Sequence, residues 1–523
     1  MIQQKVCVVL LTLLLCFFNG INADTPCAAR KIATKSVVCV CNATYCDTIT
    51  RVPPAPGQYV VYTSSESGLR FNKSRANLQP LNNSEAGSTA TLVLHPEIKY
   101  QTIEGFGGAV TDAAGINWKN LSEPLQKYLI DSYFSDNGLQ YNMIRVPIGG
   151  TDFSTHPYAY NELPVNDAKL TNYSLTYEDY QYKIPMIKAS MQASSTPIHV
   201  IATTWSPPPW MKTNNAYTGH SLLKPEYYQT YADYHYKFLE KYAAEGITIW
   251  AITTTNEPTS GLIGFINSIN NLGWSAWSMG KWIVNNLGPT IRNSTFRNVK
   301  IITGDDQRLT LPYWANLMIT KNPKVLDYID GVAVHYYTDF ITPASLLTEV
   351  AKFYPDKFII ATEACEGTML FEKHHVDIGS WIRAKKYMID IIDDLNHSVV
   401  GWIDWNMCLN IQGGPTYIRN YADSPIIVFP KRGAFVKQPM FYAMGHFSKF
   451  VPRGSRRIKV AHRCHWGDSL WKVAFITPSN TVVVVLYNDG KAANVNIQLG
   501  DKQAVLEMEA NSIATVELPY EQQ

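Results

Sequence analysis

The sequence predicts an α/β protein built on a (β/α)8 TIM barrel, accompanied by an all-β sandwich domain and a small disulfide-containing β-sheet domain. Three observations predict it. Between about residues 101 and 405, short apolar runs alternate with longer stretches whose apolar residues recur at helical spacing, as in strands joined by crossover helices. Eight such runs can be counted, the number that a closed parallel barrel needs. Both flanks, 24–100 and 455–523, instead show period-two alternation broken by turn residues, which is all-β material.

In order, the eight runs are 102–108, 142–147, 198–205, 248–255, 299–305, 331–337, 358–363 and 399–405, with intervening helical patterns such as 122–134 and 227–245. A doubly wound open sheet is the alternative. The barrel is favoured because nearly every run ends in a polar or aromatic residue, as it would if all eight tips faced one pocket. A Gly/Pro-containing insertion follows at 410–439, then a helical return at 440–450 and five further β runs. The expected division is 1–23 as a signal peptide, 24–50 plus 407–438 as the small β domain, 51–98 plus 455–523 as the sandwich, and 99–406 plus 439–454 as the barrel.

Hydrophobic residues make up 46% of the chain, aromatic residues 12% and charged residues 17%, which excludes disorder. A net charge of +2 offers no electrostatic grip on nucleic acid. Lys5, the apolar run from Val6 to Phe18 and the small Ala23 read as a secretory signal; the run is short of the ~20 residues that span a bilayer. No later segment is long and apolar enough to cross, so a peripheral rather than transmembrane protein is expected. Of nine cysteines, Cys7 and Cys16 fall in the signal, and Cys27, Cys39, Cys41 and Cys46 cluster behind it as two disulfides with three possible pairings. Cys365, Cys408 and Cys464 are scattered and expected to be free. Sequons at Asn42, Asn72, Asn82, Asn120, Asn172, Asn293 and Asn396 fit a glycoprotein of the secretory pathway.

The chemistry centres on two carboxylates. Glu257 follows the β-like run 247–252 and precedes Pro258, which places it at the C-terminal end of strand four; Glu363 ends strand seven. A strand-end Glu taken alone is as readily a salt-bridged structural residue. Two facing each other across a barrel are the arrangement of a retaining glycosidase, about 5 Å apart, one attacking the anomeric carbon and the other serving as acid and then base. The acid is expected to have its pKa raised by burial and by the neighbouring negative nucleophile. Asn256 is placed to bond a sugar 2-hydroxyl, and Arg145 and His335 sit at other expected tips. Asp152, Trp205, Trp405 and Asn420 complete the candidate pocket. Gly105-Phe106-Gly107-Gly108 lacks the third glycine of a dinucleotide loop, and the adjacent His374 and His375 have no partner metal motif. No cofactor and no metal is expected.

Beyond these readings, the chain resembles a known family. Glu104-Gly105-Phe106-Gly107-Gly108-Ala109, Arg145-Val146-Pro147, Asn256-Glu257-Pro258, Asp305-Asp306-Gln307-Arg308, Thr362-Glu363-Ala364-Cys365, Asp404-Trp405-Asn406 and Cys39-Val40-Cys41-Asn42 closely resemble the glucosylceramidases of glycoside hydrolase family 30, over essentially the whole mature chain. The resemblance implies hydrolysis of glucosylceramide to glucose and ceramide, with Glu363 as nucleophile and Glu257 as general acid/base. It implies glucose contacts from Asp152, Trp205, Asn256, Tyr337, Trp405 and Asn420, and disulfides joining Cys27 to Cys39 and Cys41 to Cys46. It also implies a saposin-type activator, anionic lipid, a lysosomal membrane transport receptor, and the lysosomal lumen. The loop 263–271 departs from the family in length and keeps only Phe265 as an aromatic. Leu309, Leu311, Trp314, Leu370 and Phe371 are read either as a rim of the pocket that meets a bilayer or, as readily, as a self-packed loop. The alternatives are a family 30-type xylanase or β-1,6-glucanase, or an inactive carbohydrate-binding relative.

Overall fold

A computed structural model describes residues 24–81, 90–263, 268–368, 372, 374–464 and 469–521; the expected signal segment lies outside the described residues. Eight parallel strands close into a barrel: β1 (Gly105–Ala109), β2 (Met143–Ile148), β3 (His199–Thr204), β4 (Ile249–Thr253), β5 (Lys300–Gln307), β6 (Gly331–His335), β7 (Phe358–Glu363) and β8 (Val399–Asn406). Because β8 pairs with β1, the sheet is closed and the open-sheet alternative is excluded. Met143, Ile201, Ala251, Ile302, Ala333, Ile360, Val400 and Ile403 pack together in the pore, so it is a filled core. The crossover helix Tyr228–Ala244 buries Tyr231, Tyr234, His235, Phe238 and Tyr242, one face at helical spacing.

The glycine run of β1 has a packing cause. A Cβ on Gly107 would lie 1.9 Å from the Met143 carbonyl oxygen of β2, so only glycine lets the two strands approach this closely. The barrel also starts later than the expected 102. Thr102 ends the long strand Ala90–Thr102 and pairs with Arg456 outside the barrel, and that strand runs past the boundary expected at residue 98. Ile103 and Glu104 make the step between the two sheets.

Ten strands from both ends of the chain form one continuous ladder. Gln58–Ser65 pairs with Ser512–Pro519, while Ala90–Thr102 lies between Arg456–Cys464 and Ala493–Leu499. The ladder folds over a shared core. In Thr481–Asn488, Val482, Val484 and Leu486 enter that core, whereas Val483, Val485 and Tyr487 join the main core on the barrel side. Period-two alternation thus joins sandwich and barrel through a single strand.

The third sheet has the order Ala29–Lys31, Val37–Asn42, Ala434–Lys437, Ile426–Phe429 and Cys408–Asn410, combining the N-terminus with the insertion. Its disulfides join Cys27 to Cys39 and Cys41 to Cys46, the pairing implied by the resemblance. Cys365 and Cys408 are free and buried. Asn42, Asn72, Asn120, Asn172 and Asn293 are exposed; Asn396 is half-buried and its amide donates to the Lys472 carbonyl at 2.9 Å, while Asn82 lies outside the described residues. Among the described residues, no helix is long and apolar enough to cross a membrane.

Candidate active site

A parallel barrel gathers all its strand C-termini on one face, and the expected acids meet there. Glu363 is the last residue of β7. Strand β4 stops at Thr253, four residues before Glu257. The chain between them stays ordered because the Asn256 amide bonds the Thr204 carbonyl at 2.9 Å and the Glu257 amide bonds the Asp305 carbonyl at 2.8 Å. Glu257 then takes a left-handed conformation, φ +41°, before Pro258 opens the short helix Pro258–Leu262. That strained turn aims its carboxylate back over the barrel. A carboxylate oxygen of Glu257, one of Glu363 and a ring nitrogen of His335 all lie within 4.8 Å of one another.

Arg145 is the centre of the hydrogen-bond network. It is not at a strand tip, as the sequence suggested, but third of the six residues of β2 and fully buried, its guanidinium reaching up from within the barrel. It bonds Glu363 Oε2 through Nη1, and through Nη2 it bonds Asn256 Oδ1 at 2.8 Å and Asp305 Oδ2 at 2.9 Å. Trp205 and Trp405 stack on each other at 5.1 Å, with the guanidinium 4.8 and 5.4 Å from their rings. The second Glu363 oxygen accepts from the Tyr337 hydroxyl at 2.8 Å. On the far side, Glu257 Oε1 accepts from Gln307 Nε2 at 2.7 Å and faces His335 Nδ1 at 3.1 Å, and Oε2 accepts from Ser260 Oγ at 2.9 Å. His335 Nε2 lies 3.1 Å from Asp305 Oδ1.

His335 therefore sits between two carboxylates, which can only accept unless protonated, so both ring nitrogens are donors and the ring is imidazolium. Burial alone would lower its pKa, but the charges of Glu363, Asp305 and Glu257 outweigh it and push it up to about 10. The same pairing acts on Glu257. Burial raises it, yet the hydrogen bond and charge of His335, with Ser260 and Arg145, bring it below the usual value, the reverse of the expected direction. Asp305 is raised by burial and then held far down by Arg145, His335 and Thr362. Asp152 takes a hydrogen bond from Asn420 Nδ2 at 2.5 Å; burial, aided by the charges of Glu363 and Glu257, pushes it up to about 7.

Comparison with known proteins decides what carries this geometry. Residues 103–451 match the glycosyl hydrolase family 30 TIM-barrel domain, and residues 454–516 match the family 30 beta sandwich domain. The chain belongs to glycosyl hydrolase family 30. It is thus a glycoside hydrolase of a retaining family. The lysosomal acid glucosylceramidase of Mus musculus is 43% identical over 470 residues, 88% of this chain and 89% of the mouse protein. The putative glucosylceramidase 4 of Caenorhabditis elegans is 40% identical over 95% of this chain and 97% of its own. The crystal structure of SrfJ from Salmonella typhimurium superposes with a TM-score of 0.80 at 26% identity, covering 89% of this chain and all of SrfJ.

Within this family 30 site, the structure brings Glu257, Glu363, Asn256, Tyr337, Arg145 and His335 into one network and places Asp152 with Asn420. Trp205 and Trp405 are each 2% exposed, so they back Arg145 and offer little open ring face. Sequence reasoning missed Asp305 and Gln307 as functional residues. Asp305 ends the fifth expected run, the same signal that marked Glu257; its inward aim comes from φ +54° and a register shift beside Gly304, which no periodicity shows. Of the expected apolar rim, Leu311 is fully buried and Trp314 half-buried, while Leu309 is 55% exposed; Leu370, Phe371 and Phe265 lie outside the described residues. Leu311 fails as a rim residue because it packs into the main core instead. Phe340 and Ile341 are exposed as well, and they lie between Asp339 and Thr342, two of the residues that Arg308 holds.

Proposed function

We propose that this protein hydrolyses glucosylceramide to glucose and ceramide by double displacement, with Glu363 as nucleophile and Glu257 as general acid/base. One observation carries the reading: the two carboxylates, one ending β7 and the other just beyond β4, come within 4.8 Å of each other, the close spacing of retaining enzymes, with inverting pairs set about 6.5–9.5 Å apart. Glu363 is the attacking group because Arg145 and Tyr337 aim both its oxygens and leave it acceptor-only. Attack on the anomeric carbon forms a glycosyl ester while Glu257 gives its proton to the departing ceramide oxygen; Glu257 then takes a proton from water, which releases glucose. Esterification removes the Glu363 charge, the largest support for the proton on His335. Asn256, held by Arg145, is positioned for the glucose 2-hydroxyl, and Asp152 with Asn420 for hydroxyls further round the ring.

The ceramide reading draws on the glucosylceramidase relatives and on Leu309, Phe340 and Ile341, an apolar edge suited to a bilayer. It carries with it delivery to the lysosomal lumen through the secretory pathway, a saposin-type activator with anionic lipid, and a transport receptor. The test is turnover of glucosylceramide in anionic liposomes against turnover of β-1,6-glucan and xylan. Glucosylceramide should be cleaved with kcat/KM at least about a hundredfold above either polysaccharide. Preference for a polysaccharide would overturn the assignment.

A further inference from the structure

Asp152 and Asn420, the pair placed above for glucose hydroxyls, come from two separate loops. Asp152 follows β2 and Asn420 follows β8, and neither lies in a strand or helix. Their side chains nonetheless meet at 2.5 Å. A contact that close between irregular segments needs a scaffold, since a site left to its own loops is loose.

The scaffold is a third loop, residues 268–271, which follows β4 and the short helix Pro258–Leu262. Asn270 is fully buried there and bonds both of the other loops. Its Nδ2 donates to the Gly150 carbonyl at 2.6 Å, two residues before Asp152. Its backbone amide donates to the Tyr417 hydroxyl at 3.1 Å, three residues before Asn420. Burial pushes that hydroxyl up to about 12; the bond from Asn270 opposes the rise and the charge of Asp152 adds to it, so Tyr417 shares the surroundings of the Asp152 carboxylate.

Both neighbours of Asn270 are fixed as well. Ile269 packs against the cluster that holds Trp205, Trp405 and Phe153. The Asn271 amide donates to the Tyr217 carbonyl at 3.1 Å, and its own carbonyl accepts from Lys212 Nζ at 2.6 Å. The same buried ammonium bonds the Tyr217 carbonyl at 2.7 Å and Ser206 Oγ at 3.1 Å, which uses all three of its donors. Held on both sides, the Asn270 amide stays aimed at Gly150. Removing it would leave a carbonyl without its donor beside the sugar pocket, which is costly. These residues end the loop 263–271, the stretch in which the chain departs from its family.

We propose that Asn270 is a positioning residue for glucose recognition: by tethering the Gly150 carbonyl and the Tyr417 hydroxyl it sets the spacing of Asp152 and Asn420, and so decides how strongly the site reads the hydroxyls that pair holds. The role in recognition rests on the function proposed above; the tether between the loops does not.

Hydrogen exchange tests the tether. In Asn270→Ala, segments 149–155 and 415–421 should both exchange at least about fivefold faster than in the wild type. No change in either overturns the proposal. Kinetics test recognition, using aryl β-glucosides that lack the 2-, 3-, 4- or 6-hydroxyl. Asn420→Ala marks the hydroxyls the pair reads, as those whose removal costs the wild type at least about tenfold in kcat/KM and costs that variant far less. For the marked hydroxyls Asn270→Ala should shrink the penalty at least about threefold, while the penalty for the 2-hydroxyl, assigned to Asn256, should stay within about 1.5-fold of wild type. Penalties that stay as in the wild type, that shrink alike for every hydroxyl, or that leave no hydroxyl marked overturn the positioning role. Should Asn270→Ala fail to fold, Tyr417→Phe removes only the hydroxyl that accepts from Asn270 and must give the same pattern. A wild type that turns over no β-glucoside would reject the proposed function and the recognition role with it, while exchange would still decide the tether.

Discussion

Five ionisable side chains meet at the barrel mouth: Glu257, Glu363, Asp305, Arg145 and His335, three negative and, with His335 protonated, two positive. One more proton makes the group neutral. Asp305 accepts from Arg145, Thr253, His335 and Thr362, and Glu363 from Arg145 and Tyr337, so a proton on either would displace an existing donor. Glu257 also accepts, from His335, Gln307 and Ser260, and as the acid of the proposed reaction it is the site to which we assign the proton, exchanging across the 3.1 Å contact to His335. The sign of a His335 substitution follows. His335 lowers the Glu257 pKa, so His335→Gln should let Glu257 keep its proton to higher pH. The alkaline limb of kcat/KM should move up in pH while kcat falls about tenfold or more. An alkaline limb that moves down would contradict this role. The two glutamates were legible in the sequence because each closes an apolar run, but their tuning was not. His335 reverses the shift expected from burial, and only the fold places it against Glu257.

Strands and helices were legible to different degrees. β7 matches the expected 358–363 because Phe358–Glu363 is a short β-branched run bounded by turn signals. β1 was anticipated three residues early, since Thr102 and Ile103 look like strand residues and nothing local says that the chain changes sheets between them. The strand Arg456–Cys464 was not anticipated. Its alternation is masked by arginine, lysine and histidine, and it is held by pairing with Ala90–Thr102 from the other end of the chain, a contact local pattern cannot contain. The same limit applies to Arg145: a charged residue in the middle of a barrel strand reads as a tip residue until its partners from β5 and β7 are seen.

At the scale of the molecule, buried carboxylates set the response to pH. Asp112, Asp306 and Asp423 are pushed up to about 6, Asp152 to about 7 and Asp404 to about 8, burial being the first cause in each. Each holds a proton in the folded chain that the unfolded chain has released. Their stabilisation is complete below the unfolded value and is lost as pH rises through the folded values. His235, lowered to about 4, and His446, lowered to about 3, act in the opposite sense, but they stand against these five and the likewise raised Asp339, Asp390, Asp394 and His335. The melting temperature should therefore fall between about pH 5 and pH 6.5, and calorimetry showing a rise would contradict this balance. A protein most stable in acid suits the lysosomal placement proposed for it.

The central claim is that Glu363 attacks and Glu257 shuttles the proton. A 2-deoxy-2-fluoro-β-glucosyl fluoride forms the glycosyl ester quickly and releases it slowly, so the intermediate can be trapped and located by peptide mass spectrometry. The account predicts a single adduct on the peptide carrying Glu363, absent in Glu363→Gln. An adduct on Glu257, or rapid turnover with no adduct, would contradict it.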